Sequence, residues 1–170
     1  WTGMLEAARK FAMRLLGPNT IGLLIPSIHL NASFAHLEAL PGSLAFISQS
    51  GALCTAVLDW AHSQGIGFSH FLSLGDSADI DVGDVLDYLG SDPNTSAILL
   101  YIESITQARK FMSAARAAAR NKPVLAIKAG RQTEGAKAAN SHTGALIGRD
   151  EVYDAAFCRA GILRVFEIDE

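Results

Sequence analysis

With 170 residues, 49% of them hydrophobic and only 18% charged, the chain can build one globular domain with a sizeable core and is too apolar to be a disordered segment. A formal net charge of −3 with no Lys/Arg stripe removes the electrostatic case for nucleic acid as a partner. These 170 residues read as holding neither a signal peptide nor an apolar run long enough to span a bilayer, so a soluble, cytoplasmic protein with no membrane partner is expected.

Residues 1–16 read as an amphipathic helix with Leu5, Ala8, Phe11, Ala12 and Leu15 on one face, and no strand precedes it to pack against. It is expected to be the end of a preceding unit, a remnant covering residues 1–26. Gly17-Pro18-Asn19 is a turn signal, and Pro26 ends a short apolar run over residues 21–25. Residues 27–42 carry Pro, Asn, Ser and His without periodicity and read as a connector. The main domain is then expected over residues 43–170.

From residue 43 the pattern is regular. Apolar runs at 44–47, 68–74, 97–102, 124–128 and 162–166 alternate with helical stretches at 52–64, 82–89, 106–120 and 150–160. Near-continuous apolar strands alternating with helices predict an α/β fold with a parallel sheet covered on both faces. Right-handed crossovers then favour a five-stranded, doubly wound, flavodoxin-like sheet. Cys54 and Cys158 each sit in a helical pattern among apolar neighbours and are expected to be buried; no spaced His/Cys set suggests a metal.

Ligands of such sheets bind outside the carboxyl ends of the strands, and three polar segments follow strands directly. In Ser48-Gln49-Ser50-Gly51, small residues lead into a helix whose first N–H groups and dipole suit an anion; an ordinary serine N-cap explains the same letters. Glu103 ends an apolar run, where a partly desolvated carboxylate seeks a donor. It is read either as a partner for the Nδ1–H of His142 or as a surface carboxylate capping the next helix. The third segment, residues 130–149, is far longer than the usual strand-to-helix loop of about 2–6 residues. It holds His142 with Ser141, Thr143 and Gly144, whose hydroxyls and N–H groups suit phosphoryl oxygens. His29, His36, His62 and His70 have no such context and are expected to be solvated.

Four segments in order give the chain a resemblance to the NDP-forming acyl-CoA synthetases, the superfamily of ADP-forming acetyl-CoA synthetase and succinyl-CoA synthetase. They are Leu16-Gly17-Pro18-Asn19-Thr20-Ile21-Gly22, Ser48-Gln49-Ser50-Gly51-Ala52-Leu53, Tyr101-Ile102-Glu103 and Ser141-His142-Thr143-Gly144-Ala145-Leu146. The stretch from Leu74-Gly75-Asp76 to Asp81-Val82-Gly83-Asp84 is similar to the acetyl-CoA synthetase branch.

The resemblance implies an acid–thiol ligase interconverting acyl-CoA, ADP and phosphate with free acid, CoA and ATP. The route runs through an acyl phosphate and a phosphohistidine. His142 is then the phosphorylated nucleophile and Glu103 the residue that stabilises it. Ser48, Ser50, Gly51 and Ala52, with Thr143 and Gly144, hold phosphate. The resemblance also implies that residues 1–26 end a CoA-binding Rossmann domain and that an ATP-grasp domain acts as partner, on the same or a separate chain. CoA and ADP or ATP with Mg2+ are expected for the full-length enzyme and none for this segment alone; the segment alone should not make acyl-CoA. Small carboxylic acids, acyl-CoA and phosphate are the implied ligands, in an oligomer. The alternatives are a synthetase-like regulatory region of a protein lysine acetyltransferase, a CoA-sensing module without chemistry, and a flavodoxin-like electron carrier.

Overall fold

A computed structural model describes residues 1–130 and 150–166. The apolar runs become strands because each is short, rich in β-branched and aromatic residues, and stopped by polar or glycine residues. In chain order the elements are α1 (Thr2–Lys10), β1 (Gly22–Ile25), β2 (Leu30–Ser33), β3 (Pro41–Ser48), α2 (Gly51–Ser63), β4 (Phe68–Ser73), α3 (Val82–Ser91), β5 (Ala97–Ile102), α4 (Ala108–Asn121), β6 (Val124–Lys128), α5 (Asp150–Ala160) and β7 (Leu163–Arg164). Among these residues no helix is long and apolar enough to cross a membrane.

The strand order is β2-β1-β4-β3-β5-β6-β7. The last five strands in that order are mutually parallel, and this is the expected flavodoxin-like order. The chain steps from β3 outward to β4 and then the other way through β5, β6 and β7. Right-handed crossovers therefore put α2 on one face and α3, α4 and α5 on the other. The two cores follow that division. One gathers Ala45, Ile47, Leu86, Ile98, Phe111 and Phe157 beneath α3, α4 and α5. The other gathers Phe46, Cys54, Leu58, Phe68 and Phe71 beneath α2. Phe71 is fully buried, 5.0 Å from the Phe68 ring and 5.1 Å from Phe46, and truncating such a side chain costs about 3–5 kcal/mol.

The sheet has seven strands rather than five, and it is not wholly parallel. β1 and β2 form a hairpin around a single 3₁₀ turn (Pro26–Ile28), and β1 pairs antiparallel with β4. Residues 27–42, read as a connector, thus supply β2 and the start of β3. The sequence hid β2 because Leu30–Ser33 is only four residues long and lies at the exposed edge of the sheet.

The hairpin also turns β4 from an edge strand into an internal one, which corrects the reading of His70 as solvated: it is buried at 4% exposure. Cys54 is buried as expected, its thiol pushed up to about 11 by burial, whereas Cys158 is exposed. Two helices are shorter than their patterns. α4 starts at Ala108 rather than at residue 106. α1 stops at Lys10 in a local turn: Ala12 is left-handed at φ +54°, its N–H donates to the Arg9 carbonyl at 3.2 Å and Met13 N–H donates to the Ala8 carbonyl at 3.0 Å, after which Leu15 N–H donates to Asp79 at 2.8 Å.

Candidate functional site

The crossovers reverse direction between β3 and β5, and a doubly wound sheet opens a crevice beyond the carboxyl ends of those strands. Here the crevice is a cleft of about 510 Å³, bordered by Gln49, Ser50, Gly51 and Ala52 from the β3–α2 turn and by Glu103 and Ser104 after β5. The sheet thus brings together two of the three polar segments that the sequence singled out. His142, Thr143 and Gly144 lie outside the described residues.

Ser50 is the N-cap of α2, its backbone extended and its Oγ accepting from Leu53 N–H at 3.3 Å. Capping and anion binding are therefore compatible here. The hydroxyl takes the third amide of the helix, while the first two, Gly51 and Ala52, have no intrahelical acceptor and border the cleft. Ser48 does not border it. Fully buried, its Oγ accepts from Ser50 N–H at 3.0 Å and donates to the Ser50 carbonyl at 2.9 Å, so it shapes the turn from below.

Glu103 is half-buried at the end of β5 and borders the cleft. It does not stand at a helix cap: α4 begins five residues later, with Gln107 as its N-cap.

Another part of the wall comes from residues that the sequence reading left without a role. Asn19, Thr20 and Ile21 line the cleft, Ile21 lying beside Gly51 at the start of α2, with Gly75 and Asp76 also lining it. Two backbone hydrogen bonds hold this wall, Asp76 N–H to the Pro18 carbonyl and Ala78 N–H to the Gly17 carbonyl, both at 2.9 Å. Asn19 Nδ2 donates to Asp76 Oδ1 at 3.3 Å. Gly75, at φ +57°, allows this approach; a Cβ there would stand 2.1 Å from the Pro18 carbonyl oxygen. The signal for this wall was in Gly17-Pro18-Asn19 and in Gly75, but the two lie more than fifty residues apart.

Gln49 was also missed. Its Oε1 accepts from the N–H groups of Glu103 at 2.6 Å and Ser104 at 3.0 Å, and its Nε2 donates to the Ser104 carbonyl at 3.1 Å.

Beneath the same edge lies Lys128, 5% exposed and paired in register with Ile102, its ammonium 4.7 Å from the Tyr153 ring centroid and donating to the Ala129 carbonyl. Burial pulls its pKa below the ordinary lysine value, and Arg164 adds to that; Asp150 and Glu103 act the other way. Among the described residues, no group of three His, Cys, Asp or Glu side chains could hold a metal ion.

The succinyl-CoA ligase like flavodoxin domain matches residues 41–170, well over half of the chain. The chain belongs to this family. It is 48% identical over 167 residues to the alpha subunit of acetate–CoA ligase [ADP-forming] I from Pyrococcus furiosus, a match that spans 98% of this chain and 36% of that protein. It is 40% identical over 171 residues to 4-hydroxybutyrate–CoA ligase [ADP-forming] from Nitrosopumilus maritimus, covering 98% of this chain and 24% of that one. The structure of dinucleotide forming acetyl-coenzyme A synthetase 1 from Ca. Korarchaeum cryptofilum, in complex with phosphate and ADP, superposes with a TM-score of 0.92 at 40% identity. It covers 99% of this chain and 37% of that one. The chain therefore spans about a third or less of these relatives.

Proposed function

We propose that this chain is the phosphoryl-transfer module of an ADP-forming acyl-CoA synthetase, interconverting acyl-CoA, ADP and phosphate with free acid, CoA and ATP. The observation that carries the reading is the cleft at the β3/β5 switch point, which the first residues of α2 and the strand-end residue Glu103 both border.

In the direction of ATP formation, a phosphate oxygen attacks the thioester carbonyl carbon. The C–S bond breaks, CoA leaves as thiolate, and an acyl phosphate remains. A ring nitrogen of His142 then attacks phosphorus, the bond from phosphorus to the acyl oxygen breaks, and the carboxylate leaves. A terminal oxygen of ADP finally takes the phosphoryl group as the P–N bond breaks. Gly51 and Ala52 N–H groups and the α2 dipole hold the phosphoryl oxygens, with Ser50 fixing the helix start, Ser48 supporting it and Thr143 and Gly144 contributing donors from the loop. Glu103 orients the imidazole and stabilises its cationic, phosphorylated form. Two transfers through one covalent intermediate let acyl and nucleotide chemistry occur at separate sites.

The full reaction then needs a CoA-binding Rossmann domain and an ATP-grasp domain, on the same or another chain, with CoA, nucleotide and Mg2+ held mostly there. α1 exposes Met4 at 56%, and Phe11 just beyond it is exposed at 75%; both fit membership of that preceding domain. An oligomeric assembly in the cytoplasm completes the proposal.

The test uses acetyl phosphate, which enters after the CoA step and bypasses both other domains. Incubation with this chain, followed by mass spectrometry under basic conditions, should find one acid-labile phosphate on His142. No label, or label that persists in His142→Ala, refutes the reading.

A further inference from the structure

We infer that Gln49 is a positioning residue for Glu103, the part that sets the carboxylate in register with the start of α2. The inference rests on the role proposed for Glu103 above.

The parallel ladder between β3 and β5 reaches its last register pair at Ser48 and Tyr101. One further backbone bond, from Gln49 N–H to the Tyr101 carbonyl at 3.2 Å, follows it. Beyond that point β3 turns into α2, and its backbone no longer faces β5. The Gln49 side chain takes over the pairing, its oxygen accepting from two consecutive amides, Glu103 and Ser104, and its nitrogen donating to the Ser104 carbonyl. A side-chain amide accepts on its oxygen and donates from its nitrogen while remaining neutral, so it adds no charge to a cleft meant for an anion.

The next residue, Ser50, caps α2. The helix amides and Glu103 therefore hang from two adjacent residues, and no other side chain among the described residues hydrogen-bonds the backbone of both Glu103 and Ser104. Glutamate at position 49 would keep the accepted bonds but set a carboxylate oxygen against the Ser104 carbonyl. Methionine would keep the length and lose all three bonds.

The experiment measures the initial rate of acetyl-phosphate labelling on His142 against acetyl-phosphate concentration, for the unaltered chain, Gln49→Met, Gln49→Glu and Glu103→Gln. For Gln49→Met the saturating rate should fall about ten-fold or more. The half-saturating concentration should stay within about two-fold, because the α2 amides remain in place. A wild-type saturating rate, or a loss carried only by a raised half-saturating concentration, overturns the inference. If Gln49→Met does not fold, Gln49→Glu carries the test: its saturating rate should fall by about three-fold or more, and a wild-type rate again overturns the inference. Glu103→Gln separates the two readings. If it is slow while the foldable Gln49 variant is normal, only the positioning role fails; if Glu103→Gln labels at the wild-type rate, the role of Glu103 fails and the positioning role with it.

Discussion

The two ends of the sheet treat polar groups in opposite ways. At the amino end, polar side chains are folded into one another. Lys122 Nζ donates to the carbonyls of Leu89, Asp92 and Thr95 at 2.7–2.8 Å, Thr95 Oγ1 donates to Asp92, and Ser69 and Thr95 hydroxyls lie 2.8 Å apart. His70 sits among them with Nδ1 3.6 Å from Asp92 Oδ2 and Nε2 3.5 Å from the Tyr88 hydroxyl. At the carboxyl end, the amides of α2 and the Glu103 carboxylate border an open cleft. Polar groups bonded to one another hold a fold together, whereas groups that border a cleft can act on a ligand. Stability and phosphoryl transfer should therefore respond to different mutations.

Lys122→Met breaks the amino end most strongly. It removes three charge-assisted bonds, although the Leu89 and Asp92 carbonyls keep the backbone donors Asp92 N–H and Thr95 N–H, so the unfolding free energy should drop by about 3 kcal/mol in urea titration while His142 labelling stays at the wild-type rate. Gly75→Ala acts on the cleft wall, forcing a side chain onto φ +57° and against the Pro18 carbonyl. A loss of about 2 kcal/mol is expected, together with a raised half-saturating concentration of acetyl phosphate. Retention of both values would mean that the wall is not part of the binding surface. Ser50→Ala should cost about 1 kcal/mol through the lost cap, with slower labelling than that cost explains. Equal losses in Ser50→Ala and in an unrelated cap variant of the same stability would remove Ser50 from the chemistry.

The smallest effect is on pH dependence. Burial depresses the His70 pKa below 6.5, against the pull of Asp92. The folded state then binds fewer protons than the unfolded chain just below pH 6.5. The stability that neutral His70 contributes is present above pH 6.5 and is lost as the pH falls through that window. Asp92 behaves separately. Burial would raise its pKa, but hydrogen bonds from Thr95 and Asn94, with His70, hold it below 3.8, so its contribution is lost only in stronger acid. Thermal midpoints between pH 7.5 and 5.5 should fall for the native chain and fall less for His70→Gln. Identical slopes would remove His70 as the source.

Much of the cleft could be read before the fold was known, because its parts announce themselves locally. Ser48-Gln49-Ser50-Gly51 after an apolar run is a strand-to-helix turn in any context, and Glu103 ends another such run. Their meeting follows from the topology. The role of Gln49, quoted only as part of its motif, went unread because its partners lie 54 and 55 residues away, and a glutamine in a turn has no local signature. Asn19 and Gly75 escaped for the same reason. His70 was misread because its burial depends on β1, a strand that pairs with β4 across nearly fifty residues.

The sequence by itself determined the alternation of strands and helices, the parallel arrangement and the polar strand ends gathered on one side, since these follow from short-range periodicity and from the handedness of crossovers. Only the tertiary structure decided that a hairpin would extend the sheet beyond β4, that Gly17–Ile21 would close the cleft, and that one glutamine side chain would continue a ladder where the backbone turns away. Hydrophobic period is written in neighbouring residues. The partner of a hydrogen-bonding group is fixed only when distant segments are brought together.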